Sequence, residues 1–404
     1  MRHAFLLPIV FFSCLVAKAQ DEIHLSVSSD VAQEQAPVTL SLRAHPSAKS
    51  ATVLVDGQEV PCQLDDLDGD GVCDELAFLT NIGKGEKQQV VVRLSSEERP
   101  SPYPARTYAE MVLRNPKVKE KNKHDIYLTS ITLDAATKEP FLVLHHHGVA
   151  FENELIALRI YMDERQTIDL YGKFHKGLEL HDTQFYTSAT QKAQGYGDDV
   201  LWVGNTFGLG ALRGWDGQAP TMIAPVRQRS QRIVSMGPVR TIVEMTDRGW
   251  AYAPSGSPID MTQRYTLYAG HRDLEVEATF DRDLSSTLFS TGVINVKGSE
   301  EYSDKDGLRG CWGTDWPATD TLNWKRETVG LGIYIPKEYK DQEWPANKDN
   351  YLFTIKPEGA QLHYYLAYTS ANEDFGFHSA KAWFAFMKDW KKRLLHPVKV
   401  QMVP

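Results

Sequence analysis

Between residues 169 and 202 the chain gathers an unusual density of side chains able to bind or transform a sugar. They are Asp169, Tyr171, Lys173, His175, His181, Tyr186, Tyr196, Asp198, Asp199 and Trp202. Aspartate and tyrosine hydrogen-bond sugar hydroxyls, and an indole covers an apolar sugar face. Gly195, Gly197 and Gly204 space these groups on loops. Arg159, Lys173, Arg240, Arg264 and Arg272 supply cations, and a guanidinium grips a carboxylate through paired hydrogen bonds, which suits a uronate. Each of them alone is more often one half of a structural ion pair. Only convergence on one face would make them a site.

Two further clusters carry chemistry. His145, His146 and His147 precede Glu152, Asn153 and Glu154. Alternate residues of a strand point the same way, so His145 and His147 would share a face and could form a metal pair or a general base. An exposed strand end with one packed ring is the simpler reading. Asp66, Asp68, Asp70 and Asp74, with Gly69 and Gly71, match the first half of a calcium loop. The twelfth position is Ala77, where an EF-hand requires a bidentate glutamate, so the segment reads as a structural calcium turn or a solvated acidic hairpin. No other cofactor is called for.

The elements that must position these groups are strands. From Ile23 to Arg93 short runs such as Val38–Leu42 alternate apolar and polar residues, the signature of half-buried strands in a small β-sandwich over residues 20–95. A charged, proline-rich stretch, Glu97–Pro104, opens a linker over 96–124, and the basic run Lys117–Lys123 reads as a solvated loop. Leu155–Tyr161, Val239–Met245, Gln263–Leu267, Leu274–Phe280 and Leu362–Tyr368 again have strand spacing. One amphipathic helix is expected over Ser379–Leu394, with Trp383, Phe386, Met387 and Trp390 on its packed face. The fold class is therefore all-β, with the small sandwich followed by a large antiparallel sandwich over 125–404 that carries the site.

Composition narrows the partners. The chain has 404 residues and a net charge of −9, with its Lys and Arg dispersed rather than gathered, which argues against nucleic acid. Residues 1–19 combine Arg2, an apolar run and Ala17-Lys18-Ala19, and read as a cleaved signal peptide, with export to the periplasm or beyond. A lipoprotein anchored at Cys14 is the lesser alternative. No stretch is long enough to span a bilayer as a helix. Of the remaining cysteines, Cys62 and Cys73 flank a turn and could bridge, whereas Cys311 reads as a buried free thiol.

Glu152-Asn153-Glu154 with Arg159-Ile160-Tyr161, Ile168-Asp169 and Lys173, then Gly195, Gly197 and Asp199 leading to Val203-Gly204, resemble the bacterial domain of unknown function 4861. Gly208-Leu209-Gly210, Gly237-Pro238-Val239-Arg240, Ala269-Gly270 and the turn ending Asp74-Glu75-Leu76-Ala77-Phe78 extend the likeness over nearly the whole mature chain. The resemblance implies a galactose-mutarotase-like supersandwich in polysaccharide-degradation loci, and with it uronate-containing, acidic oligosaccharides as substrate.

The reaction expected is β-elimination from a uronic acid residue, as a lyase or a dehydratase. Such chemistry needs a donor or cation at the carboxylate, a base for the C5 proton and an acid for the leaving oxygen. Arg240 or Lys173 is assigned the first role, His175 or His181 the second, and Tyr186 or Tyr196 the third. Asp199 joins this catalytic set, with Glu152, Asn153, Arg159, Asp169, Trp202 and Arg264 binding substrate. The competing readings are a hydrolase of the unsaturated-uronyl type, using two carboxylates among Glu152, Glu154, Asp169 and Asp199, a sugar epimerase, and a non-catalytic glycan-binding protein.

Overall fold

A computed structural model describes residues 21–322 and 324–403. The expected signal peptide and Cys14 lie outside them. The N-terminal alternation builds a sandwich. One sheet runs Lys399–Val403, Asp21–Ser28, Lys87–Ser95, Ser50–Val55, Gln58–Val60, and the facing sheet Gln33–Ser41, Glu75–Ile82, Cys62–Asp65. Lys87–Ser95 shows why: Val90, Val92 and Leu94 point inward at alternate positions and meet Leu25, Val53 and Phe78 in one core.

The larger part is an antiparallel supersandwich, so the chain is all-β as expected. Among the described residues its first layer is a nine-stranded sheet running from Glu300–Ser303 at one edge, through Arg240–Trp250 and Ile259–Tyr268, to Ser130–Asp134 at the other. Two five-stranded sheets form the second layer. One is ordered Asp198–Asp199, Ile168–Gly172, Ala157–Tyr161, Gly148–Asn153, Thr107–Glu110, and the other includes Phe289–Ile294 and Asn350–Ile355. Phe151, Leu158, Val243, Tyr265, Leu331 and Phe353 belong to the core between the layers. The expected helix forms as Ala380–Leu394, with the Ser379 hydroxyl accepting the Ala382 N–H as its cap. It packs Trp383 and Met387 on the outside of the nine-stranded sheet. A Cβ at Gly330 would sit 2.8 Å from the Trp383 ring, so the helix lies flat only because that position has no side chain.

The expected boundaries shift in two places. Thr107–Glu110, inside the expected 96–124 linker, is a strand of the supersandwich, because its backbone pairs with Gly148–Asn153. Lys399–Val403, at the end of the expected 125–404 unit, returns to pair with Asp21–Ser28 in the small sandwich. Cys62 and Cys73 are free thiols. Cys62 lies opposite Phe78, whereas Cys73 lies beyond the Asp65–Glu75 end of the same ladder. About four strand positions at roughly 3.4 Å each separate them, well beyond disulfide reach. Cys311 is buried and unbridged, as expected.

Candidate active site

The five-stranded sheet that ends in Asp198–Asp199 has two unlike faces. Residues paired across an antiparallel ladder share a face. The register sets Glu110 against Ala150, Ala150 against Arg159 and Arg159 against Asp169. In the next row stand Tyr108, Glu152, Ala157, Tyr171 and Asp199. The alternate residues, among them Val149, Phe151, Leu158, Ile160 and Leu170, go into the core. One face is thus apolar and the other carries acids, phenols and a guanidinium, roofed in part by the segment after Lys173.

At the centre of the polar face Arg159 Nε and Nη2 donate to Asp169 Oδ2 at 3.0 and 2.7 Å, and Nη2 also reaches Asp199 Oδ2 at 3.2 Å. The Tyr161 hydroxyl donates to the same Asp169 oxygen at 2.6 Å. The remaining arm of Arg159, Nη1, lies 3.3 Å from the Tyr186 hydroxyl, which is 3.0 Å from His147 Nε2. His147 Nδ1 is 2.9 Å from the Phe141 carbonyl. A carbonyl only accepts, so Nδ1 carries the hydrogen and Nε2 presents its lone pair to the phenol. The ring is clamped by stacking on Phe141, centroid to centroid 3.7 Å.

Backbone strain aims both members of this pair. His147 has φ 71°, and Gln184 and Phe185, just before Tyr186, have φ 47° and 65°. Residues with side chains avoid this left-handed region unless the surroundings hold them there. His147 thereby leaves the strand alternation one residue before Gly148–Asn153 begins. His145 stacks on His124 at 3.8 Å and meets the Tyr186 ring edge-on at 5.1 Å, so the two imidazoles flank the phenol from different directions and the alternative of a His145–His147 metal pair on one strand face does not form.

The electrostatics follow from burial and from Arg159. Desolvation, then the positive charge of Arg159, pulls His147 down to about 3, which keeps it neutral. Desolvation, then the neighbouring Asp169, pushes the Asp199 carboxyl well up against the pull of Arg159. Tyr186 is raised by desolvation, with Arg159 opposing. The face therefore offers a neutral imidazole, an intact phenol and a carboxyl biased toward its protonated form. Asp199 keeps 19% of its side chain exposed, and Tyr186 and His147 are half-buried, so all three are reachable.

The other residues picked out in the sequence fall elsewhere. Lys173 is buried, and its Nζ donates to Glu152 Oε2, Asn153 O and Gly177 O at 2.5, 2.7 and 2.5 Å, which uses all three protons. Glu152 also accepts the N–H groups of Glu179 and Leu180. Asn153 is buried too and staples its turn to Tyr268 O and His271 O. Arg240 bridges Asp65 and Glu75 of the small sandwich, and Arg264 pairs with Glu244 and reaches Leu67 O. Arg272 is held by Glu373. The expected roles of Lys173 and Arg240 at a substrate carboxylate, and of Glu152, Asn153 and Arg264 in binding, are thus corrected to structural ones, because each is held by ion pairs or hydrogen bonds that tie elements of the fold together.

His175 is exposed and pairs with Asp374, His181 is exposed beside the Tyr108 hydroxyl, and Tyr196 donates to Asp182. None of the three bonds to the Arg159 cluster among the described residues; the imidazole that meets it, through the Tyr186 hydroxyl, is that of His147. Trp202, 53% exposed, follows Asp199 on the next loop. From the sequence His147 was a candidate only as one of a His145–His147 pair for a metal or a general base, and the base of the elimination was assigned to His175 or His181. Nothing local announces the left-handed backbone that brings His147 in.

In the acidic turn, Asp66, Asp68 and Asp74 each offer an oxygen within 4.8 Å of the others, the one cluster of metal-ligating type found among the described residues. Asp70 stands outside it and accepts the Val72 N–H. Leu67 O in this turn is gripped by Arg232 and Arg264 of the large sheet.

Fold and site together define an all-β supersandwich protein with a guanidinium-centred acid–base face on its outer layer. Within that class the chain belongs to the family described as Domain of unknown function (DUF4861), whose profile matches residues 25–400. No curated protein matches the chain. Among solved structures it is similar to a protein in the glycosyl hydrolase family 38 from Enterococcus faecalis, at 8% identity and a TM-score of 0.47, over 95% of this chain and 47% of that one. It is also similar to an alpha-mannosidase from Enterococcus faecalis V583, at 9% identity and a TM-score of 0.45, over 95% and 46%. The chain spans about half the length of these structures. No helix of the described residues is long and apolar enough to cross a membrane.

Proposed function

We propose that the protein is an exported carbohydrate-active enzyme that carries out β-elimination on a uronic acid residue of an oligosaccharide. The observation that carries this reading is the Tyr186 phenol poised between Arg159 Nη1 and the unprotonated Nε2 of His147. On binding, Tyr186 swings its hydroxyl proton from His147 Nε2 to the leaving oxygen; the freed Nε2 lone pair takes the C5 proton and Tyr186 gives up its proton, so the leaving group departs as a sugar hydroxyl or as water while the C4–C5 double bond forms. The pair then resets itself, because the proton gained by His147 Nε2 returns to the Tyr186 oxygen across their own hydrogen bond. Asp199, whose carboxyl burial and Asp169 push upward, donates to the substrate carboxylate when it carries its proton, which lowers the cost of removing the neighbouring proton.

The weak basicity of His147 fits this sequence of events. Arg159 is the second cause of its depression, after burial. A carboxylate arriving beside Arg159 offsets that charge, so the imidazole becomes a stronger base only when an anionic sugar is bound. A two-carboxylate hydrolase is less well supported. Glu152 is buried against Lys173 and Asp169 against Arg159 and Tyr161, and of the two part-exposed acids Glu154 is paired with Arg106 and Asp199 with Arg159, so no two of the four candidates stand free to flank one bond.

Incubation with uronate oligosaccharides, followed by ultraviolet absorbance and mass spectrometry, tests the reading. A new unsaturated uronyl group with chain cleavage indicates a lyase, and one with loss of water a dehydratase. Disappearance of an existing double bond would instead indicate an unsaturated uronyl hydrolase. Retention of the oligosaccharide without any product would indicate a glycan-binding protein.

A further inference from the structure

The loop that carries Lys117, Lys119, Lys121 and Lys123 is bound into the site. Asn122 Nδ2 donates to Gln191 Oε1 at 2.7 Å. The Gln184 side-chain amide brackets His124, its Oε1 accepting the His124 N–H at 3.1 Å and its Nε2 donating to His124 O at 2.7 Å. Gln184 belongs to the left-handed pair of residues that presents Tyr186, so the loop and the phenol are set by one rigid unit. Asn122 and His124 are buried, whereas all four lysines are exposed. Lys121 Nζ lies 5.3 Å from the centre of the Tyr186 ring. None of the four lysines has an ion-pair partner among the described residues, unlike the buried cations of the neighbouring face.

Unpaired ammonium groups held at a fixed place beside a site raise the local concentration of anions and reward a second negative charge on the ligand. From this we infer that the lysine loop is a subsite for an anionic group on the sugar residue next to the one that reacts, so the substrate is a polyanionic oligosaccharide rather than a chain with a single acidic residue. The inference rests on the reading of the Tyr186 face as the reaction centre and extends it by one residue of substrate.

The test uses the full chain with Tyr186→Phe, which allows binding without turnover, and calorimetric titration with tetragalacturonate, a chondroitin sulfate tetrasaccharide, a heparin tetrasaccharide and neutral maltotetraose. At least one anionic tetrasaccharide is expected to bind, to weaken with added salt, and to lose about tenfold in affinity when all four lysines become serine. The same four changed to arginine should keep both the affinity and its salt dependence. Equal affinity with and without the lysines, an equal loss for maltotetraose, or no binding of any anionic tetrasaccharide would overturn the subsite. Turnover of the same sugars by the unsubstituted protein is read separately. A new double bond with lysine-independent binding overturns the subsite alone, and lysine-dependent binding with no double bond overturns the elimination alone.

Discussion

Two arginine-centred clusters in this molecule use nearly the same parts. Arg240 sits between Asp65, Glu75 and the Tyr268 hydroxyl where the small sandwich meets the large sheet. Arg159 sits between Asp169, Asp199 and the Tyr186 hydroxyl on the second layer. In the first, the guanidinium is buried and its acids come from another sheet, so the partners lock two bodies together. In the second, an equally buried guanidinium meets acids of its own sheet, and the phenol has a neutral imidazole on its far side. Residue types do not separate the two clusters. What separates them is the company of the phenol: the Tyr186 hydroxyl has the His147 imidazole 3.0 Å away, whereas the Tyr268 hydroxyl meets Arg240 alone among the described residues.

That contrast breaks most sharply at Tyr186. Tyr186→Phe should lower turnover by about 10²–10⁴-fold while leaving the melting temperature near that of the parent, because only a half-buried hydroxyl is lost. His147→Asn should lower turnover comparably while keeping a donor for the Phe141 carbonyl. Arg240→Ala should do the reverse. It strands the fully buried Asp65 carboxylate and should cost about 3–5 kcal/mol in a urea unfolding curve, with turnover per folded molecule retained. If Tyr186→Phe melts the protein or Arg240→Ala silences a folded one, the roles assigned to the two clusters are exchanged.

The comparison also shows where a sequence stops being readable. The strand of Arg159 was legible from its two-residue spacing, and Arg159 and Asp169 from their residue types, whereas their pairing comes from the register of Ala157–Tyr161 against Ile168–Gly172. The all-β architecture and the Ser379-capped helix were legible for the same local reason. The fate of Arg240 and Arg264 was not, since their partners Asp65 and Leu67 lie 175 and 197 residues away in the chain. Nor did any pattern reveal that Lys399–Val403 would return to Asp21–Ser28, or that His147 would adopt a left-handed backbone. Tertiary pairing and strain decided which of several plausible histidines met the phenol.

A smaller effect separates the two clusters by pH. His145 and His147 are both held down to about 3, burial being the first cause for each, against an ordinary value of 6.5. Below pH 6.5 the unfolded chain therefore binds protons that the native state refuses. Stability is full above pH 6.5 and falls as the pH drops toward 3. Each imidazole should cost about 1–2 kcal/mol at pH 5, allowing for partial exposure. Urea midpoints measured from pH 7 to 4 should show this decline, and H145Q/H147N should flatten it. An unchanged slope in the double variant would mean that both rings are free to protonate in place.

The smallest expected effect lies at the acidic turn, and it ties the turn to the Arg240 side of the comparison. Asp66, Asp68 and Asp74 converge to within 4.8 Å, and the carbonyl of Leu67 beside them is held by Arg232 and Arg264. A calcium ion there would fix the turn and, through Leu67, the seam between the small sandwich and the large sheet. For an extracellular-type site with a dissociation constant of about 10⁻⁴–10⁻³ M, 10 mM calcium should add about 1.5–2.5 kcal/mol. Calorimetric melting with calcium and with chelator measures it. Asp68→Asn should remove the calcium response and leave turnover by the Tyr186 face unchanged, because that exposed carboxylate touches neither arginine and lies in the small sandwich. A calcium response that survives Asp68→Asn would place the ion elsewhere and leave the seam held by its guanidinium groups alone.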